Sequence, residues 1–402
     1  MISDKLNSPR LCKQLFIVSC IILILTIFRG IRFPNIWSYS HFLFDYEFGF
    51  MRRGLIGAVL DLFQSRTLHS YDFFVLISGL IFCANMLLLA WSFKDLIASK
   101  NLNLIAVVII FASSSGIIFL AHNIGYADHL GLLITLITLR IKGFKEKLLF
   151  ATPALFITML VHEAILVLFF PVIFMSMLLH LKALSSATKQ HYWLLAGFSA
   201  LMLLSFFLIG NSTIDASQSQ AMYAQENTKT AIPLRADAFA LLHETGIKTL
   251  HLMFQKWMNP ARPLFLLLSG CLIFPLVYFF QITMLSLLKE QDQRIKILCI
   301  LAGLSPLLLH AVAWDTMRWN TLTLTSSYLM CYLVYQQTQT TRIELMLRPS
   351  LPFLLIVLFI NANSHVMLMD HRQVENFPYP RHVSYIVDVL TGKAPFPAPP
   401  KK

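Results

Sequence analysis

Residues 148–180 read LLFATPALFITMLVHEAILVLFFPVIFMSMLLH, an apolar run interrupted at Val161-His162-Glu163. The run holds one carboxylate and neither lysine nor arginine. A bilayer core of roughly 30 Å is crossed by about 20 apolar residues. The run therefore reads either as one long broken helix or as two short passes meeting at His162-Glu163. Pro153 and Pro171 lie in the two halves and permit a break. Two passes keep the short basic loops of the later chain on one side of the membrane, whereas a single pass destroys that alternation. The expectation is therefore two passes.

The rest of the chain has the same character. Of 402 residues, 57% are apolar and 13% charged, and phenylalanine alone occurs 33 times. So few charged residues cannot form the shell of a soluble fold. The composition also excludes a disordered chain, a disulfide-stapled secreted domain and a free-standing nucleic-acid binder. Apolar segments suit spans near 15–31, 73–92, 102–121, 124–141, 148–161, 164–180, 193–209, 263–282, 297–313, 319–335 and 351–362. The fold expected is all-α: a polytopic integral membrane bundle of about 11 transmembrane helices over 1–362. Its larger outer loops are 32–72 and 210–262, and an extracytoplasmic tail covers 363–402.

Orientation follows from lysine and arginine. With the N-terminus cytoplasmic, the inner loops hold half of the 32 basic residues but only six of the 20 acidic ones. The net charge of +12 is thus mostly a topology signal and no nucleic-acid footprint. The C-terminus falls outside. The first apolar segment runs into Arg29-Gly30-Ile31-Arg32 with no small-residue cleavage site, so it reads as a retained helix. Cys12 lies in the inner tail and Cys20, Cys83, Cys271, Cys299 and Cys331 lie within spans, leaving the outer loops without a disulfide framework. The location expected is a bacterial inner membrane.

Most histidines and carboxylates fall on the outer side, at helix ends rather than at the midplane where transporters place ionisable groups. The first outer loop carries Phe44-Asp45-Tyr46-Glu47-Phe48-Gly49-Phe50-Met51-Arg52-Arg53-Gly54-Leu55-Ile56-Gly57. Asp45 or Glu47 suits a general base, and Arg52 and Arg53 suit a phosphate clamp. The plainer reading has the arginines reaching to lipid headgroups, with Asp45 paired to one of them. The following run 55–63 is too short to span and suits an interfacial helix. His122, Asp128 and His129 form a second group, His162-Glu163 a third, and Asp315 with Arg318 a fourth. These are candidate substrate-binding groups. Asp128, His162 and Glu163 are also candidate ligands for a divalent metal, Mg or Mn, although their spacing matches no metal signature. For Asp315 and Arg318 an i, i+3 ion pair is the bland alternative. In the late loop an amphipathic helix is expected over about 234–258. Asp370-His371-Arg372 and Phe377-Pro378-Tyr379-Pro380 in the tail suit either acceptor recognition or plain solvated surface.

With its first-loop carboxylate Asp45, interfacial helix, ionisable outer helix ends and long late outer loop, the chain resembles the GT-C superfamily of membrane glycosyltransferases. That resemblance implies a membrane-lipid substrate, a polyprenyl-phosphate-linked sugar, transferred to a glycan or protein acceptor on the outer face. It would make Asp45 the catalytic carboxylate, with Glu47 as a neighbouring substitute. Asp128 or Glu163 would bind metal or phosphate, and Arg52, Arg53 and Arg318 would hold the lipid phosphate. The chain departs from the family in having no large soluble domain after its last span. Two other classes fit the layout: an O-antigen or exopolysaccharide polymerase-type enzyme relying on arginines, and a transporter or structural membrane protein.

Overall fold

The computed structural model describes residues 8–338 and 349–363, apart from 64, 66, 260 and 314, together with 383–384, 387–388 and 390–393. The tail motifs at 370–372 and 377–380 lie outside these residues, as does Trp314. Among the described residues the fold is all-helical.

The expected break at His162-Glu163 is present. Helix α8 (Phe144–Val161) and α9 (Ala164–Ala183) meet there as two separate helices, with His162 in extended conformation (φ −165°, ψ 113°). The preceding helices are α1 (Pro9–Gly30), α2 (Ile36–Phe42), α3 (Leu55–Asp61), α4 (Tyr71–Ala98), α5 (Leu102–Ala112), α6 (Ser115–His122) and α7 (Asp128–Arg140). After α9 come α10 (Lys189–Gly210), α11 (Ala216–Lys229), α12 (Ala236–Ala240) and α13 (Gly246–Trp257). The chain ends in α14 (Ala261–Gly270), α15 (Phe274–Leu287), α16 (Gln293–Leu304), α17 (Thr316–Thr338) and α18 (Leu351–Asn363).

Among the described residues six helical segments are long and apolar enough to cross a bilayer: α1, α4, α5 with α6, α9, α10, and α16 with the 3-10 turn after it. Two shorter apolar helices, α15 and α18, accompany them. The span expected at 263–282 is divided between α14 and α15 by a turn at 271–273. The run expected to form a short helix in the first loop is the seven-residue α3. The amphipathic helix expected over 234–258 is interrupted: α12 and a 3-10 turn occupy 236–243, and the helix restarts at Gly246 behind the Thr245 cap.

Burial sorts the helices into layers. Only 17% of the apolar window of α1 and 28% of that of α10 is buried, against 94% for α5–α6. The outward residues of α1 and α10 are Ile21, Ile24, Leu25, Leu204, Phe207 and Leu208, all exposed. Helices that are apolar all round and show such faces are solvated by lipid, so the chain is a multi-pass membrane protein.

At the centre stands α17, buried along its length from Arg318 to Val334 and packed on α6, α9, α15 and α16. Its hydroxyl run is satisfied internally. Thr321 and Thr323 donate to carbonyls one turn back, and Gln281 donates to Ser327 (2.9 Å). Such satisfaction is obligatory where water is absent. Tyr328 stacks on Phe111 at 4.0 Å and 5°, a contact worth about 0.5–1.5 kcal/mol beyond its buried area.

Ion pairs close the bundle at both ends. Arg318 of α17 meets Asp128 of α7 at one end. At the other, Arg140 of α7 meets Asp95 of α4 at 3.0 Å, and Tyr332 of α17 donates to the same carboxylate. Along either α7 or α17 the two pairs are about 20 Å apart at 1.5 Å per residue. That is less than a hydrocarbon thickness, which is why none of these charges can stand unpaired.

Beyond the Asp128–Arg318 end sits a small helical cap. Two segments distant in sequence share its core: Tyr39, Phe42, Phe44, Met51, Tyr71 and Phe74 from the first loop and the start of α4, with Ile214, Met222, Leu234, Phe239 and Leu242 from the late loop. Phe44 meets Phe239 edge-on at 4.9 Å, and Ile214 N–H donates to Leu242 C=O. The segments 39–74 and 214–242 therefore form one body at one end of the bundle, the end that the lysine and arginine count would assign to the outside.

Candidate functional site

Asp45 lies in the turn after α2, 1% exposed. Its Oδ1 accepts the backbone N–H of Glu47 (2.9 Å), while the buried Oδ2 has no hydrogen-bond partner. Burial raises its carboxyl pKa, opposed by the Glu47 N–H and aided by the negative charge of Asp61. The local backbone explains the glycines. Gly57 N–H donates to Phe44 C=O, and a Cβ at Gly57 would lie 2.4 Å from that same oxygen. A Cβ at Gly54 would strike the Tyr46 ring at 2.4 Å. Helix α3 thus packs directly onto the Asp45 turn, and only residues without side chains allow that approach. Glu47 lies at the exposed rim, where Gln225 of α11 donates to it.

Around Asp45 the cap assembles a set of charges that the sequence reading did not include. Glu226 of α11 is 1% exposed and pairs with Lys229 at 2.6 Å. Lys229 also reaches Asp61 of α3 at 3.6 Å, and Asp61 Oδ1 lies 2.9 Å from His69 Nε2, accepting from it in the tautomer that carries the proton there. Burial pushes Glu226 up to about 7, partly offset by Lys229 and reinforced by Asp45 and Asp61. Its signal in the sequence was faint but present: Ser219, Met222 and Glu226 recur at three and four residues, which is the buried stripe of α11.

The arginines of the first loop neither reach out to headgroups nor pair with Asp45. Arg53 takes Glu163 bidentately (2.9 and 2.5 Å). Arg52 donates to the carbonyls of Leu241 (2.6 Å) and Glu244 (2.9 Å), stands 3.7 Å from Glu163, and leaves its Nε without a partner. The pairing joins the cap to the α8–α9 junction. Arg53 has φ +68°, the left-handed region that non-glycine residues avoid. Such a conformation persists only where its surroundings over-determine it, and here the bidentate bond to Glu163 does so. Burial disfavours the Glu163 charge, yet Arg53 beside it holds the carboxyl well below its usual range. His162 is held down to about 3 by burial and by the neighbouring Arg53.

The fourth group forms a separate lock. Arg318 Nε and Nη2 each donate to Asp128 at 2.7 Å, and Nη1 reaches Asp315 at 3.3 Å, so the i, i+3 pair exists as the lesser partner. Tyr126 and Trp319 present ring faces to the guanidinium at 5.0 and 4.7 Å. His129 Nε2 is bound to Leu120 C=O (3.0 Å), and His122 gives its carbonyl to Arg32 (2.9 Å). These two histidines serve the packing of α6 and α7.

Among the described residues no group of three or more His, Cys, Asp or Glu is placed to hold a metal ion. Asp128 and Glu163 each have both oxygens on a guanidinium, so with His162 they do not make a metal-ligand set. The structure thus divides the expected site residues into three sets. Asp45 and Glu47 lie in the cap, and Arg52, Arg53, His162 and Glu163 lie at the seam between cap and bundle. Asp128, Asp315 and Arg318 lie at the bundle end. No family model, curated protein or solved structure matches the chain.

Proposed function

We propose that this multi-pass membrane protein is a glycosyltransferase of the GT-C kind, which moves a sugar from a polyprenyl phosphate to an acceptor at the extracytoplasmic face of a bacterial inner membrane. The observation that carries the reading is Asp45, a buried carboxylate with one oxygen fixed by a backbone N–H and the other, also buried, without a partner. A base held in that way is oriented in advance and has its lone pairs available.

In this reading the donor lipid lies in the bilayer beside the bundle and its phosphate enters the seam between cap and α8–α9. Asp45 takes the proton of an acceptor hydroxyl as that oxygen attacks the anomeric carbon and the carbon–phosphate oxygen bond breaks. Negative charge accumulates on the departing phosphate, and Arg52, whose Nε has no partner, is the guanidinium at the seam that can stabilise it directly, while Arg53 takes part only by exchanging Glu163 for the phosphate. Arg318 is committed to Asp128 and serves the bundle. A largely apolar groove of about 290 Å³ between α11 and α12 has Tyr223, Asp237 and His243 on its border, and in this reading it receives the acceptor. Among the described residues no donor set is placed for the metal that the family resemblance allows.

The test is lipid-linked glycan profiling in cells lacking the protein, complemented with wild type or Asp45→Asn. Support requires loss of one glycan with accumulation of its polyprenyl-phosphate precursor, corrected by wild type alone. Correction by Asp45→Asn removes Asp45 as the base. Unchanged glycans and precursors in the deletion strain remove the enzyme reading.

A further inference from the structure

Helix α13 carries an apolar stripe that the described residues leave uncovered. Leu250, Phe254 and, just past the helix end, Met258 recur every fourth residue, which sets them one above another on a single face. All three are exposed, Phe254 by 65%, whereas Met253 at the edge of that face is buried. The other side presents Lys248, His251 and Gln255. The helix contains two lysines and no carboxylate.

Both ends of α13 are tied where the cap meets the bundle. At the N-terminal end Arg52 Nη2 donates to the carbonyls of Leu241 (2.6 Å) and Glu244 (2.9 Å). Thr245 Oγ1 then accepts Lys248 N–H (3.2 Å), and Lys248 reaches back to Glu244 at 2.8 Å. The guanidinium gripping this end stands 3.7 Å from Glu163, at the α8–α9 junction. At the far end Trp257 Nε1 donates to His310 C=O (2.9 Å) in the 3-10 turn after α16. His310 in turn meets Asn320 at 3.0 Å, two residues beyond Arg318 on α17. Twelve residues at 1.5 Å each span about 18 Å, so α13 is a strap across the bundle end. Both anchors sit at the ends of bilayer-length apolar segments, α9 and α16 with its turn. The strap therefore lies where hydrocarbon gives way to headgroups.

We propose that α13 is a membrane-surface helix: its Leu250–Phe254–Met258 stripe rests among the acyl chains of the bilayer, and this docking holds residues 241–244 against Arg52. Three observations choose lipid as the occupant. The stripe continues into α14, whose Leu264, Leu267 and Leu268 are exposed like the lipid-facing residues of α1 and α10. The net positive charge of the helix suits anionic headgroups. Three side chains also offer on the order of 400 Å², against about 800 Å² from each partner of a stable protein interface. A second copy of this chain is thus a poor fit to the stripe. The inference goes beyond sugar transfer and stands without it.

The experiment uses the full chain in nanodiscs of phosphatidylethanolamine and phosphatidylglycerol. Bimane is attached at Phe254→Cys or His251→Cys on a Cys83→Ser, Cys271→Ser background, and the signal of that background is subtracted. A lipid spin-labelled high on its acyl chain is expected to quench position 254 at least about twofold more than 251, and aqueous iodide the reverse. Stronger quenching of 254 by iodide than by lipid overturns the proposal, because the stripe is then solvated. Protection from both quenchers also overturns it, because a protein surface then covers the stripe. Where Phe254→Cys is not recovered, Leu250→Cys reports on the same face. For the hold on Arg52, Leu250→Gln with Phe254→Gln is expected to lower amide protection at 241–246 about tenfold and to leave α17 unchanged. Unchanged protection at 241–246 overturns that hold. Neither readout involves a sugar, so failure of the glycosyltransferase reading is seen separately in the glycan profile.

Discussion

The Asp128–Arg318 pair allows a quantitative test of how the bundle end is held. Both groups are nearly inaccessible, with side chains 3% and 6% exposed, and both Arg318–Asp128 contacts are 2.7 Å. Asp128→Asn leaves the guanidinium with Asp315 alone, at 3.3 Å and partly exposed. Removing one member of a buried pair costs about 3–5 kcal/mol because the other is stranded without compensation. The remaining Asp315 and the faces of Tyr126 and Trp319 place Asp128→Asn at the lower end of that range. Arg318→Met leaves a carboxylate in the first turn of α7, where the helix dipole offsets about 0.3–1 kcal/mol. The double change Asp128→Leu with Arg318→Met removes both charges and is expected to be close to neutral. The coupling energy should therefore be about 3 kcal/mol or more. It can be read from denaturant-induced unfolding in mixed micelles, followed by tryptophan fluorescence. Singles costing under about 1 kcal/mol, or a double mutant costing their sum, would refute the view that this pair is a buried lock.

Three further outcomes are expected. Glu226 is raised in the folded cap to about 7 from 4.5, so its contribution to stability is full below pH 4.5 and fades as the pH rises through 7; the protection of α11 amides, measured against the intrinsic exchange rate at each pH, should fall between pH 5 and 8 in wild type and lose that fall in Glu226→Gln. Arg53→Lys keeps the charge but loses the bidentate fork to Glu163, and is expected to cost about 1–3 kcal/mol and to raise protease access at the α8–α9 junction, whereas an unchanged digestion pattern would show that the seam does not depend on it. Gly57→Ala forces a methyl group against Phe44 C=O and should destabilise the cap by about 1–3 kcal/mol, while Gly197→Ala on α10, where no atom lies within 4 Å, should not lower the unfolding midpoint.

The helix break at 162–163 was legible because a charged residue, an adjacent histidine and two flanking prolines interrupt an otherwise apolar run. The lipid-facing helices α1 and α10 were legible for the same reason in reverse. The centrality of α17 was less so. Its threonines and serines lower its hydropathy to the level of an ordinary helix, and only the structure shows them bonded to carbonyls one turn back and to Gln281. Among site residues, the sequence pointed to Asp45 by its company of glycines and arginines, but not to what those arginines hold. Their partner Glu163 lies 110 positions away, and proximity in sequence favoured Asp45 instead. Glu226 escaped notice because α11 is polar overall. Its burial follows from packing against a segment nearly two hundred residues upstream, and a linear reading contains that contact only as the three-and-four spacing of one helix face.

The cap also has a history that its finished form conceals. The aromatic residues of the first loop cannot be covered until residues 212–244 have been synthesised and α4 to α10 have entered the membrane between them. At about 5–20 residues per second, translation leaves Phe44 without Phe239, and the first-loop cluster without its late-loop half, for on the order of 10–30 s. During that interval the nascent protein displays a sticky surface that the complete one lacks. Its yield in a cell should therefore depend on whatever shields that loop while the chain is still growing, and pausing before residue 212 should be more damaging than pausing after 244.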